Sequence, residues 1–218
     1  MDAAKWIGTP MGKRRSLLKF GILAVALLLA APADATRTLL DAAVAYRADR
    51  VLIVGTQQIP GKMIAIPGHQ RHEQLIAGIE QVAIFDFSAA RGYFIIPAVT
   101  AYLDFPIGPA LRELNDPHVV GAAEGAAEVN GVSTTKYRIN HAAPDGTRIE
   151  GTVWLTREGI PMRGDGTVIE SNGKRTPVSW ELSNLVEGPQ DPKLFTPPSG
   201  YFRLPAAALP GFLSGTPQ

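Results

Sequence analysis

Between residues 130 and 173 the chain is broken at short intervals by Asn130-Gly131, Pro144-Asp145-Gly146 and Asn172-Gly173. Asn-Gly adopts the two positive φ angles of a tight hairpin turn at little cost. Pro-Asp-Gly supplies a preset φ, a side-chain acceptor and a glycine. Turns at this spacing leave segments 132–139, 147–155, 167–171 and 174–185 between them, the lengths and spacing of strands in an antiparallel meander. Asp165-Gly166 reads as a further turn or a bulge. The chain from Val51 onward is therefore expected to be strand.

Side-chain alternation assigns the faces. In Val178-Ser179-Trp180-Glu181-Leu182-Ser183 the apolar residues fall on one face and the polar ones on the other. Ile149, Gly151, Val153 and Leu155 likewise share a face, with Trp154 opposite. Residues 82–87 (VAIFDF) and 93–96 (YFII) are apolar on both faces, so each needs cover on both sides, from a second layer, a helix or a ligand. An apolar hollow beside this hairpin is expected, lined by Phe85, Phe87, Tyr93 and Ile95. The Phe85–Phe87 face is favoured, because Asp86 on the other face is costly in a dry pocket unless paired. Trp154 and Trp180, both in the meander, are expected to be buried or to line the cavity, with Trp180→Ala costing about 3–5 kcal/mol if the ring is fully packed.

The first 35 residues read as a secretory signal peptide. Lys13, Arg14, Arg15 and Lys19 precede an apolar run at 20–31, and Ala33 and Ala35 provide the small residues of a cleavage site. The run is shorter than the roughly 20 residues needed to span a bilayer, so no permanent membrane span is expected. Arg14-Arg15-Ser16-Leu17-Leu18-Lys19 also resembles a twin-arginine export motif, and the general and twin-arginine routes both stay open. Cleavage after Ala35 leaves one β-rich domain at 36–204 and a Pro- and Ala-rich tail at 205–218 that is expected to be mobile. At 38–46 (TLLDAAVAY) the spacing of Leu39, Leu40, Ala43 and Val44 predicts a helix capped by Thr38, and a second helical turn is predicted at 109–114 (PALREL).

Composition excludes several functions. The chain has no cysteine, so disulfides and thiolate chemistry are absent and the core alone must hold the domain. The formal net charge is +1, and loss of the basic leader makes the mature chain mildly acidic, without a basic block for nucleic acid. His69 and His72 lie three apart, which on a strand places them on opposite faces and keeps them from sharing a metal. Asp86 and Asp104 would form a carboxylate pair only if their strands were neighbours. No nucleophile elbow, HExxH or phosphate-cradling glycine loop is present, so no catalytic residue, metal or cofactor is assigned.

The order of several short motifs resembles the periplasmic lipoprotein-carrier superfamily. Residues 50–54 (RVLIV) follow the N-terminal segment. Pro67-Gly68-His69-Gln70-Arg71-His72-Glu73 is similar to the family's Pro-x-x-x-Arg-x-Glu strand. Ile84-Phe85-Asp86, Tyr93 to Pro97 and Tyr102 match its central hairpin. Val153-Trp154-Leu155 with Gly159-Ile160-Pro161, and the closing run at 194–201 (LFTPPSGY), complete the series. One departure is Ile66, where the lipoprotein carrier itself has an arginine. The resemblance implies a mainly β fold, an open half-barrel of antiparallel strands with a few short helices packed on its concave side. It implies a periplasmic, non-enzymatic binder or carrier of a hydrophobic or acyl ligand or a lipoprotein. An alternative from the same fold is a regulatory module that binds an envelope protein partner.

Overall fold

The computed structural model describes residues 38–205 except residues 77, 109, 110 and 113. The expected leader at 1–35, the expected cleavage site and the residues beyond Pro205 lie outside the described residues.

Twelve strands form a single sheet: β1 Tyr46–Val54, β2 Gln57–Ile66, β3 His69–Ile76, β4 Ile79–Asp86, β5 Arg91–Ile96, β6 Ala101–Pro106, β7 Val120–Val129, β8 Val132–Ala142, β9 Arg148–Leu155, β10 Pro161–Ile169, β11 Arg175–Glu187 and β12 Phe202–Arg203. Their order is β12-β6-β5-β4-β3-β2-β1-β11-β10-β9-β8-β7, so the sheet is open, with β12 and β7 as its edges. Two meanders, β1 to β6 and β7 to β11, join where β1 pairs with β11. Every pairing is antiparallel except the short β12–β6 contact.

Turns fall at all three expected places, but Asn172-Gly173 does not form the two-residue hairpin turn expected of it: only Gly173 takes a positive φ. Asn130 and Gly131 take φ of 50° and 78°, the paired positive values of a two-residue hairpin between β7 and β8. The other two hairpins use three-residue loops. Pro144-Asp145-Gly146 and Ser171-Asn172-Gly173 each end on a positive-φ glycine. In each, the Asp145 or Asn172 side chain accepts the N–H two residues on, from Thr147 or Lys174. Asp165-Gly166 is neither turn nor bulge: it lies inside β10, paired with Thr152 and Gly151 on one side and Ser179 and Val178 on the other.

The N-terminal helix expected at 38–46 is absent. Thr38 Oγ1 does accept the Asp41 N–H, as a cap would, but no helix follows. Tertiary partners capture the backbone instead. Ala43 N–H donates to the Glu158 carbonyl, the Leu40 carbonyl accepts from Gln70, and Asp41 Oδ1 accepts the Gly68 N–H at 2.7 Å. Leu39 and Ala42 are buried, and the segment is an irregular strap, bent at 39–40 and 43–44, laid on the sheet. Its Ala-rich helix preference is weaker than these contacts. In the second predicted helix, Leu111 and Arg112 are helical, and Arg112 N–H donates to the Gly108 carbonyl.

Register shows why β4 and β5 are apolar on both faces. Val82, Ile84, Tyr93 and Ile95 share one face, because Val82 pairs with Ile95 and Ile84 with Tyr93. The closing segment covers them: Leu194, Phe195 and Tyr201 pack there, around a short 3-10 turn at Pro192–Phe195. Asp191 Oδ1 accepts the Lys193 N–H to start that turn, and Arg71 donates to the Leu194 carbonyl at 3.0 Å. The other face of the hairpin carries Ala83, Phe85, Phe94 and Ile96, packed with Leu103 and Phe105. This short 3-10 turn therefore lies on the sheet face opposite the N-terminal strap.

Candidate functional site

The face of the sheet under the strap carries Tyr46, Ala48, Arg50 and Leu52 on β1, and cross-strand partners place Leu182 and Trp180 of β11 beside Arg50 and Leu52. Across β11, β10, β9 and β8 one row on this face reads Val178, Gly166, Gly151, Ile139. Two adjacent glycines leave the middle of the row without side chains. The backbone is close there: a Cβ on Gly151 would lie 2.4 Å from the Asp165 carbonyl oxygen. Ile149 and Val168 bound the gap on one side, Trp180 on the other, and Leu39, Leu40 and Leu114 roof it. The result is a hollow of about 150 Å³.

Trp180 sits at its rim by a second close approach. Its ring lies over its cross-strand partner Gly164, where a Cβ would come within 2.2 Å of Cη2, and its Nε1–H donates to the Pro161 carbonyl at 3.1 Å. The ring is half-buried rather than fully packed. Gly164→Ala is therefore expected to push the indole off the sheet, costing about 1–3 kcal/mol. A red shift of tryptophan emission is the check; unchanged emission and stability would show that the ring yields freely.

Next to this apolar half lies a polar relay in which Arg50 and Gln70 are buried and His72 and Gln74 half-buried. Arg50 reaches over Gly61, its β2 partner, to β3. A side chain at 61 is impossible without moving backbone, since a Cβ would lie 2.1 Å from the Glu73 carbonyl oxygen. Arg50 Nη2–H donates to Gln74 Oε1 at 2.9 Å and Nη1–H to His72 Nδ1 at 2.5 Å. With Nδ1 accepting, the tautomer is fixed: Nε2–H donates to Gln70 Oε1 at 3.0 Å, and Gln70 Nε2–H donates in turn to the Leu40 carbonyl of the strap. Burial, reinforced by the Arg50 charge, pushes the His72 pKa down to about 3, so the ring is neutral. Burial lowers Arg50 to about 10, which leaves the guanidinium charged at neutral pH. Gln70, His72 and Gln74 sit in a run of polar residues at the start of β3, and nothing in the sequence showed that they would meet Arg50.

The six residues expected to line one cavity are divided. Trp180 borders the hollow. Phe85 and Phe87 lie on the same sheet face but at the β4 end, stacked at 6.2 Å, with Phe85 edge-on to Phe105 and His72. Tyr93 and Ile95 are on the opposite face, where Ile95 is 1% exposed in the core under Phe195. Trp154 also faces away from the hollow, with the Arg163 guanidinium 4.9 Å and Lys136 Nζ 5.9 Å from its ring. Within the β4–β5 hairpin, Tyr93 pairs with Ile84 and Ile95 with Val82, which sets them on the face opposite Phe85.

The remaining chemical candidates are structural. His69 and His72 do lie on opposite faces, and His69 sits 3.6 Å from Asp86. Asp86 and Asp104 do not pair, because β5 separates their strands. Asp104 instead takes a two-pronged contact from Arg203, both distances 2.7 Å, which holds its carboxyl below the usual range. Among the described residues no cluster of His, Asp or Glu is arranged to hold a metal ion, and no helix is long and apolar enough to cross a membrane.

No protein-family model and no curated protein matches the sequence. Solved structures do. An uncharacterized conserved protein from Thermus thermophilus aligns at 12% identity and a TM-score of 0.47, over 74% of this chain and 90% of that one. A LolA superfamily protein from Nitrosomonas europaea aligns at 6% identity and a TM-score of 0.40, over 71% and 90%. The MucA/MucB complex of Pseudomonas aeruginosa aligns at 12% identity and a TM-score of 0.35, over 69% of this chain and 54% of that one, so the chain spans about half of the latter's length.

Proposed function

We propose that this protein is an exported, periplasmic binder or carrier of an apolar or acylated ligand, and that it performs no chemistry of its own. The observation that carries this reading is the hollow floored by Gly151 and Gly166 and roofed by Leu39, Leu40 and Leu114. Two paired glycines in neighbouring strands forgo side-chain packing, and the apolar space they leave is one that water gains little by filling. At about 150 Å³ it matches a benzene-sized group or the end of an acyl chain, not a whole sixteen-carbon chain. Burying about four methylenes there contributes roughly 3 kcal/mol before ordering costs. Phe85, Phe87 and Phe105 form a second apolar patch on the same face, separated from the hollow by the polar relay on β3.

A fluorescent fatty acid is expected to bind the purified protein. Val178→Phe, which fills the hollow from its edge, should weaken binding at least tenfold while leaving the urea midpoint nearly unchanged. Phe87→Asp, at the far end of the face, should weaken it less. Native mass spectrometry of protein purified from the periplasm should show a bound acyl species as added mass. If neither probe nor copurified lipid binds, this reading fails and a protein-interaction module takes its place. That second reading has its own support in Phe202, 71% exposed on the edge strand β12, and in Leu75 and Ile79, exposed at the β3–β4 turn.

A further inference from the structure

Arg50 is 7% exposed on the ligand-side face of the sheet, and its Nε–H has no hydrogen-bond partner. Its other contacts, His72 Nδ1 and Gln74 Oε1, are neutral acceptors. They satisfy donors but do not cancel the charge, and among the described residues no carboxylate forms an ion pair with it. A buried charge without a counter-ion costs several kcal/mol unless something else compensates. Such an arrangement is unusual, because the arginine cannot shed its proton at neutral pH. The guanidinium lies across β2, past Gly61, and reaches β3.

Its place in the sheet connects it to the hollow. Leu52 is the cross-strand partner of Trp180, and Arg50 lies two residues further along β1 on the same face, on the order of 7 Å away. The relay through His72 and Gln70 ends on the carbonyl of Leu40, and Leu40 is part of the roof of the hollow. Leu40 alone touches both features, so the molecule that meets both is one that follows the strap from the hollow toward β3.

We propose that Arg50 is the counter-charge for the anionic head group, a carboxylate or a phosphate, of the ligand whose apolar end occupies the glycine-floored hollow. The free Nε–H supplies a charge-assisted hydrogen bond to a head-group oxygen; no existing hydrogen bond has to break for it to form, but the protein atoms that cover Nε must move aside. The inference rests on the binding reading above and adds the ligand's charge to it.

The test compares dodecanoate, methyl dodecanoate and dodecyl phosphate on the purified protein, by tryptophan fluorescence and calorimetry. At least one of the two anions is expected to bind tenfold or more tightly than the neutral ester, and whichever binds more tightly identifies the head group. Arg50→Met should bring the favoured anion down to the affinity of the ester without weakening the ester. Should that variant not fold, the Arg50 Nε–H resonance in NMR of the unaltered protein decides: it should move with the favoured anion and stay in place with the ester. Equal affinity for all three compounds, or a stationary Nε–H resonance, overturns the assignment of Arg50 and leaves the apolar reading intact. Absence of binding by any of the three removes the binding reading itself.

Discussion

Truncating Phe195 to alanine is expected to cost about 3–5 kcal/mol, the range for a fully buried large aromatic. Phe195 is 4% exposed and packs on Val82, Ile84 and Ile95, with the His69 ring edge-on at 5.8 Å. It is the anchor by which the closing segment covers the second apolar face of β4 and β5, so its loss leaves a void and loosens the cover together. Phe202→Ala is the control: that ring is 71% exposed, and its removal should stay within about 0.5 kcal/mol. Urea denaturation of both variants measures the contrast. Similar midpoints for the two would mean that the closing segment contributes little to the fold.

Acid should destabilise the protein through His72. The ring is neutral in the fold with a pKa pushed down to about 3, whereas in the unfolded chain it returns to about 6.5. Between those values the unfolded state binds more protons, so the stabilisation is complete above about pH 6.5 and is lost as pH falls toward 3. From pH 7 to pH 4 the loss from this one group is on the order of 3 kcal/mol. His72→Gln keeps an acceptor toward Arg50 without a titrating ring and should be correspondingly less acid-sensitive. Stability curves for the two proteins that run parallel from pH 7 to pH 4 would refute the assignment, because all other titrating groups are common to both.

The local features were legible in the sequence where the cause is local. Asn130-Gly131 forms a tight hairpin because its two residues tolerate positive φ, and Pro144-Asp145-Gly146 turns for reasons equally contained in three residues. Alternation correctly set Val178, Trp180 and Leu182 on one face, and Val153 opposite Trp154, since a strand sends successive side chains to opposite sides. The double apolarity of β4 and β5 correctly demanded cover on both faces. What failed was equally instructive. Residues 38–45 carry helical spacing, yet the backbone bonds to Glu158 and Gln70 outweigh a short helix that would be marginal alone.

The sequence by itself determined a mainly β chain, three of its hairpin sites, the absence of thiol chemistry and the alternation of polarity in the meander strands, all of which follow from neighbouring residues. Only the tertiary structure decided which faces meet. Tyr93 and Ile95 turned out to lie under Phe195, a residue about a hundred positions away. Gly151 and Gly166, ordinary as letters, became the floor of a hollow because register sets them side by side. Arg50, Gln70, His72 and Gln74 came together for the same reason. Hydrogen-bonded pairing joins strands regardless of their separation along the chain, and a shift of one residue in that pairing would send each side chain to the other face.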